Sequence, residues 1–323
     1  MEVRMGKRRQ FWKRAYAARF VYAIFLPVAA YYVIFCYMPI FNLQSGGILM
    51  AFKHFRLNRP FAQMEWVGLK WFDMLVNLPA FRQVMRNTIM ISLGRLLFVF
   101  PFPILLALLL NEVRGIKFKR ISQTIFTFPN FLSWVLVMSI LRDLFLTNGV
   151  INQIIMKTGG SSIPFLATTS APINYILLFF TDIWKNAGWS AIIYLATISG
   201  IDPSLYEAAI VDGANRWHQV KHITWPGMKS TVVLLLILAC GNIMNAGFDQ
   251  IFNIANPANK KTIDILDTYI YSISFGGQMN QGFSAAASLF KTVVNFGLIL
   301  AANKVAHLLG QEGLISKRGR NDV

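Results

Sequence analysis

The sequence predicts an all-α polytopic membrane protein with six transmembrane helices, and three observations lead there. Of 323 residues 55% are hydrophobic and only 14% charged, with mean hydropathy +0.49. No soluble domain of this length hides such a balance behind a polar surface. Six apolar stretches, 20–41, 87–110, 121–145, 173–198, 231–252 and 283–309, are each long enough to cross the hydrocarbon layer, which takes about 20 residues. Basic residues cluster in alternate connections, as they do on the cytoplasmic side of a bilayer.

Each stretch reads as a helix, because a backbone in lipid must satisfy its own hydrogen bonds. Pro27, Pro101, Pro103 and Pro129 fall inside the first three, and membrane helices tolerate proline as a kink, so those spans are expected to stay intact. The first span is too long for a signal peptide and lacks a small-residue cleavage site, which reads as a retained anchor. Cys36 and Cys240 read as small apolar core residues.

Arg4, Lys7, Arg8, Arg9, Lys13, Arg14 and Arg19 precede the first span against the single Glu2, so segment 1–19 is expected in the cytoplasm. Six crossings return the tail, 310–323, to the same side. Arg114, Lys117, Lys119 and Arg120 agree, as do Arg216, Lys221 and Lys229 and, in the tail, Lys317, Arg318 and Arg320. The loop 42–86 disagrees: it should be external yet carries Lys53, Arg56, Arg59, Lys70 and Arg82, which either snorkel to headgroups or meet an acidic partner or ligand. Topology accounts for most of the formal charge of +17, which is therefore not a nucleic-acid signature.

The loop 200–230 carries the strongest pattern. Asp202-Pro203 starts a helix, as an N-cap followed by proline in the first turn. That helix runs through Tyr206, Glu207, Ala208, Ala209 and Val211 to stop at Asp212-Gly213, where glycine supplies a left-handed turn. Asn215 caps a second short helix to about His222, and Pro226 closes the loop before the fifth span. Ala208, Ala209 and Ala214 permit close approach of another protein, and Tyr206 and Trp217 offer aromatic anchors.

Glu207-Ala208-Ala209, three residues, Gly213, nine residues, then Ile223 and Pro226 resembles the EAA signature of permease subunits of binding-protein-dependent ABC importers. Trp225 departs from the leucine usual there. The stretches ILMAFKHF, IWKNAGWSAIIYLA and GFDQIFNIANP resemble the LplB-like carbohydrate branch, so the likeness covers about 20–314. It implies a type I importer permease fold in domain 20–309, a bacterial inner-membrane location and an ATPase-coupling role for the motif residues. It also implies an unlike permease partner, two ATPase subunits holding ATP and Mg, and an external solute-binding protein. No Walker A pattern occurs, so this chain binds no nucleotide in that way.

Polar groups inside spans are costly and usually face a wet cavity or a partner. Candidates for a substrate pathway are Asp182, Lys185 and Asn186; Asn242, Asn245, Asp249 and Gln250; and Lys291 and Asn295. Asp182 and Lys185 are spaced to pair with each other, and Asn242 and Asn245 to bond between helices. Lys291 has no acid within a turn. An unpaired ammonium within a span is expensive, and an anionic ligand would relieve that cost at Lys185 and Lys291. With the resemblance, that points to an acidic oligosaccharide of alginate type, with neutral oligosaccharides as the alternative and Trp184 and Trp189 available to stack on sugar rings. His54, His218, His222 and His307 lack metal-ligand spacing, and no catalytic cluster is visible. An ion-coupled secondary transporter is the competing class, disfavoured by few intramembrane acids and no visible repeat; a membrane enzyme would need a reactive cluster.

Overall fold

The computed structural model describes residues 16–41, 47–56, 59–276, 280–310 and 313–314. The basic residues before Tyr16, those at 315–323 and residues 42–46 of the basic loop lie outside the described residues. Among those described, the chain is helical apart from short turns and one bridge between Lys53 and Trp66.

Among the described residues, five rods are long and apolar enough to cross a membrane: Arg19–Phe41, Pro79–Glu112, Trp134–Lys157, Arg216–Gly241 and Gln281–Leu308. The remaining expected span is a helix of 29 residues, Ala171–Ser199, long enough to cross but diluted in its middle by Asp182, Lys185 and Asn186. Large apolar side chains stay exposed along all of them, as a lipid-facing surface requires.

Prolines divide into those a helix absorbs and one that breaks it. Three π turns, Val33–Tyr37, Arg95–Val99 and Val220–Thr224, each end two residues before a proline: Pro39, Pro101 and Pro226. In each, the residue before the proline (Met38, Phe100, Trp225) donates its amide five residues back, to Val33, Arg95 or Val220. The wider turn makes room where a proline ring would press on the preceding turn, and the rod continues. Pro226 therefore does not close the loop as expected, because the second short helix runs on into Arg216–Gly241.

Pro129 behaves differently, so the third span is not intact. Helix Ile116–Thr127 ends in a 3-10 turn, Phe128–Phe131, and Leu132 and Ser133 are extended. Ser133 then caps Trp134–Phe145 by accepting from the Leu136 amide at 3.3 Å, which offers the chain a fresh start. The fifth span is also discontinuous. It stops at Gly241, turns through 242–247 with Gly247 at φ +85°, and resumes as Phe248–Ile254.

Burial gathers in three clusters. One joins Ile91, Leu178, Ile251 and Ile265; another packs Ala107 against Ala191 and Met228. The third packs the loop before the second rod, with Trp71, Leu75, Phe81, Leu266 and Phe283 together. The loop expected at 42–86 thus ends at Leu78, where Pro79–Glu112 begins, and its described residues, 47–56 and 59–78, form a folded cap. Lys53 is used inside that cap, its ammonium 4.4 Å from the Phe61 ring centre and 3.0 Å from the Phe61 carbonyl.

Candidate functional site

Two places combine unusual residues, and the first is the loop after Ser199. The Asp202 carboxylate accepts from the Ser204 amide at 2.9 Å with Pro203 beside it, so Pro203–Val211 starts as the cap predicts. That bond holds the exposed Asp202 carboxyl below its ordinary pKa. At the far end Gly213 has φ +78°, and the Ala214 amide reaches back to the Ala209 carbonyl at 2.8 Å. This left-handed stop satisfies carbonyls that a helix end would otherwise leave open. Asn215 accepts from the His218 amide at 2.9 Å and starts the second helix.

The two helices are tied together and to the bundle. The hydroxyl of Tyr206, which is half-buried, lies 3.0 Å from the Thr224 hydroxyl and joins the first helix to the second. Arg216 lies 3.3 Å from Glu112 at the end of the second rod. Ile210, Val211 and Trp217 are left exposed, at 62%, 87% and 71%. Glu207, Ala208 and Asp212 are also exposed, whereas Ala209, Ala214 and Ile223 are half-buried. Apolar residues this open on a rigid element suit a protein contact.

The second place is the break in the fifth span. A cleft of about 530 Å³ opens there, lined by Asn242, Asn245, Asp267, Lys291 and Asn295 among others. A broken helix exposes backbone groups that lipid cannot satisfy. Here Asn295 accepts from the Met244 amide at 3.0 Å, and Ser92 donates to the Ile243 carbonyl. Asn242 and Asn245 bond to each other at 2.8 Å. Lys291 lines the cleft and is paired, against expectation, with Asp267 from helix Leu266–Phe275. Its partner lies 24 residues away in sequence, beyond any spacing rule.

The other candidates sit elsewhere. Gln250 is buried, donating to the Leu178 carbonyl at 2.8 Å and to Thr181 at 2.7 Å while accepting from Arg95. Asp249 is exposed in the first turn of Phe248–Ile254. Lys185, read either as a partner of Asp182 or as a pathway group, donates to the Asn130 carbonyl at 2.7 Å and lies 5.6 Å from the Trp134 ring centre. Asp182 pairs with Arg95 at 3.3 Å rather than with Lys185, and accepts from Asn186 at 2.7 Å. Asn186 in turn accepts from Asn130 at 3.1 Å.

Arg95, Asn130 and Asp267 complete these networks and were missed from sequence. Arg95 could have been found, since it is a charge inside the apolar stretch 87–110 and falls under the rule that singled out Lys185. Both cysteines are free.

Comparison with known proteins places these features in context. The family model described as "Binding-protein-dependent transport system inner membrane component" matches residues 99–309. Protein LplB of Bacillus subtilis (strain 168) is 41% identical over 92% of this chain and 91% of its own length. The polygalacturonan/rhamnogalacturonan transport system permease protein YteP of the same organism is 40% identical over 95% of this chain and 94% of its own. Among solved structures, a chain of a bacterial alginate ABC transporter in complex with an alginate pentasaccharide-bound periplasmic protein superposes with TM-score 0.83. It is 33% identical and covers 94% of this chain and 99% of that one.

Proposed function

From the premise that this chain belongs to the binding-protein-dependent transport system inner-membrane component family, we propose that it is the permease subunit of an ATP-driven importer of uronate-containing oligosaccharides. The observation that carries this reading is the cleft at the broken fifth span, where Asn242, Asn245, Lys291 and Asn295 meet. Discontinuous helices with amides and a lysine around a wet cavity can replace the hydration of a polar solute. Lys185 and Lys291 both have partners within the chain, so neither by itself calls for an anionic ligand. Support comes instead from relatives named for polygalacturonan and for alginate, with alginate-type chains as the specific reading. A carboxylate entering the cleft competes with Asp267 for Lys291, gaining a charge-assisted hydrogen bond there.

The chain transports and does not hydrolyse ATP. A second permease subunit completes the pathway, two ATPase subunits hold ATP and Mg, and an external solute-binding protein delivers the sugar. Pro203–Val211 and the turn at Gly213 meet the ATPase through Glu207, Ala208, Ala209 and the exposed Trp217. Both termini and this element lie on the cytoplasmic side of the bacterial inner membrane.

The test is uptake of a mannuronate trisaccharide into vesicles carrying the complex co-purified with the tagged chain. Uptake should require ATP and persist when ionophores collapse ion gradients. Uptake abolished by ionophore and indifferent to ATP would replace the reading with the ion-coupled class, which the family match does not support.

A further inference from the structure

A second cleft, of about 590 Å³, lies on the other side of helix Leu266–Phe275 from the first. Asp267 and Ile270 face the cleft at the broken span, while Asp264, Thr268, Tyr271 and Phe275, spaced four, three and four apart, face the outer one. One ten-residue helix therefore walls both.

The outer cleft is lined by two unlike kinds of group. Tyr271 packs against Phe252 at 5.0 Å between ring centres and against Phe275 at 5.1 Å, and all three rings remain exposed, at 41%, 47% and 71%. Lys260, Asp264, Asn256 and Ser272 line the same cleft. Rings turned only to lipid would not share a hollow with an ammonium and a carboxylate, given what an ion costs in hydrocarbon. Aromatic faces together with hydrogen-bonding groups are the chemistry that a pyranose ring needs: its C–H face stacks and its hydroxyls bond.

The rim is also rigid. Asn256 donates to the Leu166 carbonyl at 2.6 Å, and Asn259 to the Leu166 and Ile254 carbonyls at 3.2 and 3.1 Å. Asn87 on the second rod holds the Asp264 carbonyl at 3.0 Å and the Lys261 carbonyl at 3.2 Å. A site fixed in advance loses little freedom on binding.

We infer that this outer cleft is a second saccharide subsite, in which Tyr271 and Phe275 stack on one pyranose unit and Lys260 takes its carboxylate before the chain passes to the cleft at Lys291. The inference rests on the proposed function and adds an outer station to it.

The experiment measures KM for uptake of a mannuronate trisaccharide and of a neutral mannose trisaccharide by the reconstituted complex with its solute-binding protein. Tyr271→Ala and Phe275→Ala should each raise KM about fivefold, the loss of one stacking contact. Tyr271→Phe should behave as the parent, which separates stacking from a folding defect. Lys260→Gln should raise KM for the uronate and not for the neutral sugar. Unchanged KM in both alanine variants overturns the subsite. So does weakened retention of the solute-binding protein by those variants in a pull-down, which assigns the cleft to protein docking. A parent complex that moves neither sugar overturns the proposed function itself, a failure distinguishable from that of the cleft.

Discussion

Arg95 on the second rod lies 3.3 Å from Asp182 on helix Ala171–Ser199, and its guanidinium covers the left-handed turn at Gly247 so closely that a Cβ there would stand 2.2 Å from Nη1. One arginine thus ties the second rod, helix Ala171–Ser199 and the break in the fifth span together. Removing one member of a largely buried pair leaves the other uncompensated, at a cost of about 3 kcal/mol or more. Arg95→Met should lower the thermal midpoint of the detergent-solubilised chain, and adding Asp182→Leu should recover part of the loss. Gly247→Ala should destabilise too, through both the collision and the backbone conformation. An unchanged midpoint in Arg95→Met would mean the pair holds nothing together.

Gly213 offers a cleaner case, because no atom lies within 4 Å of where its Cβ would stand. Within the chain, any effect of substitution there is conformational, about 1 kcal/mol or more for a β-branched residue at φ +78°. Gly213→Val should reduce ATP-driven uptake sharply while the chain still inserts, and Gly213→Asn should be milder because asparagine tolerates that region. Glu207→Lys should weaken ATPase retention in a pull-down. Parent-like uptake by Gly213→Val would remove this turn from coupling.

The cap at Asp202 predicts a pH dependence. Its carboxyl is held below the ordinary value by the Ser204 amide, so the stabilisation is present above the unfolded-state pKa and lost as pH falls through the lower folded one. Hydrogen exchange of the amides in Pro203–Val211 should lose protection on acidification below the usual carboxylate range, whereas Asp202→Asn should stay capped throughout. Equal pH response in both would refute the cap.

Topology is tested with cysteines placed in a variant lacking Cys36 and Cys240. Ser161→Cys, between the third and fourth spans, should label from outside, and Lys221→Cys only after permeabilisation. Outside labelling at Lys221→Cys would contradict both the orientation and the coupling role.

What was legible in the sequence follows the range of the forces involved. The turn at residues 212–215 was readable because Asp202, Pro203, Gly213 and Asn215 act on their immediate neighbours. Helix positions were readable because hydropathy averages over a whole span. The interruptions after Pro129 and at 242–247 were not, since an apolar stretch has the same mean hydropathy whether or not it is broken. Nor could sequence separate Pro129, which ends a helix, from Pro101, which a π turn absorbs. Partners were least visible: Arg95 with Asp182 and Lys291 with Asp267 join residues on different helices. Asn256 and Asn259 were not singled out in the sequence, yet they fasten the rim of the second cleft to Leu166.

The measurement that reaches the central claim most directly compares Lys291→Met with Asp267→Asn for uptake of a mannuronate trisaccharide by the reconstituted complex, with intact assembly verified by co-purification. If Lys291 receives the sugar's carboxylate, the two variants part: Lys291→Met loses about tenfold, and Asp267→Asn, which frees the ammonium from its internal partner, stays within about twofold of the parent. If the pair only holds helix Leu266–Phe275 to Gln281–Leu308, both variants fall together. That result, or parent-like uptake by Lys291→Met, would contradict the assignment of this cleft to an acidic oligosaccharide.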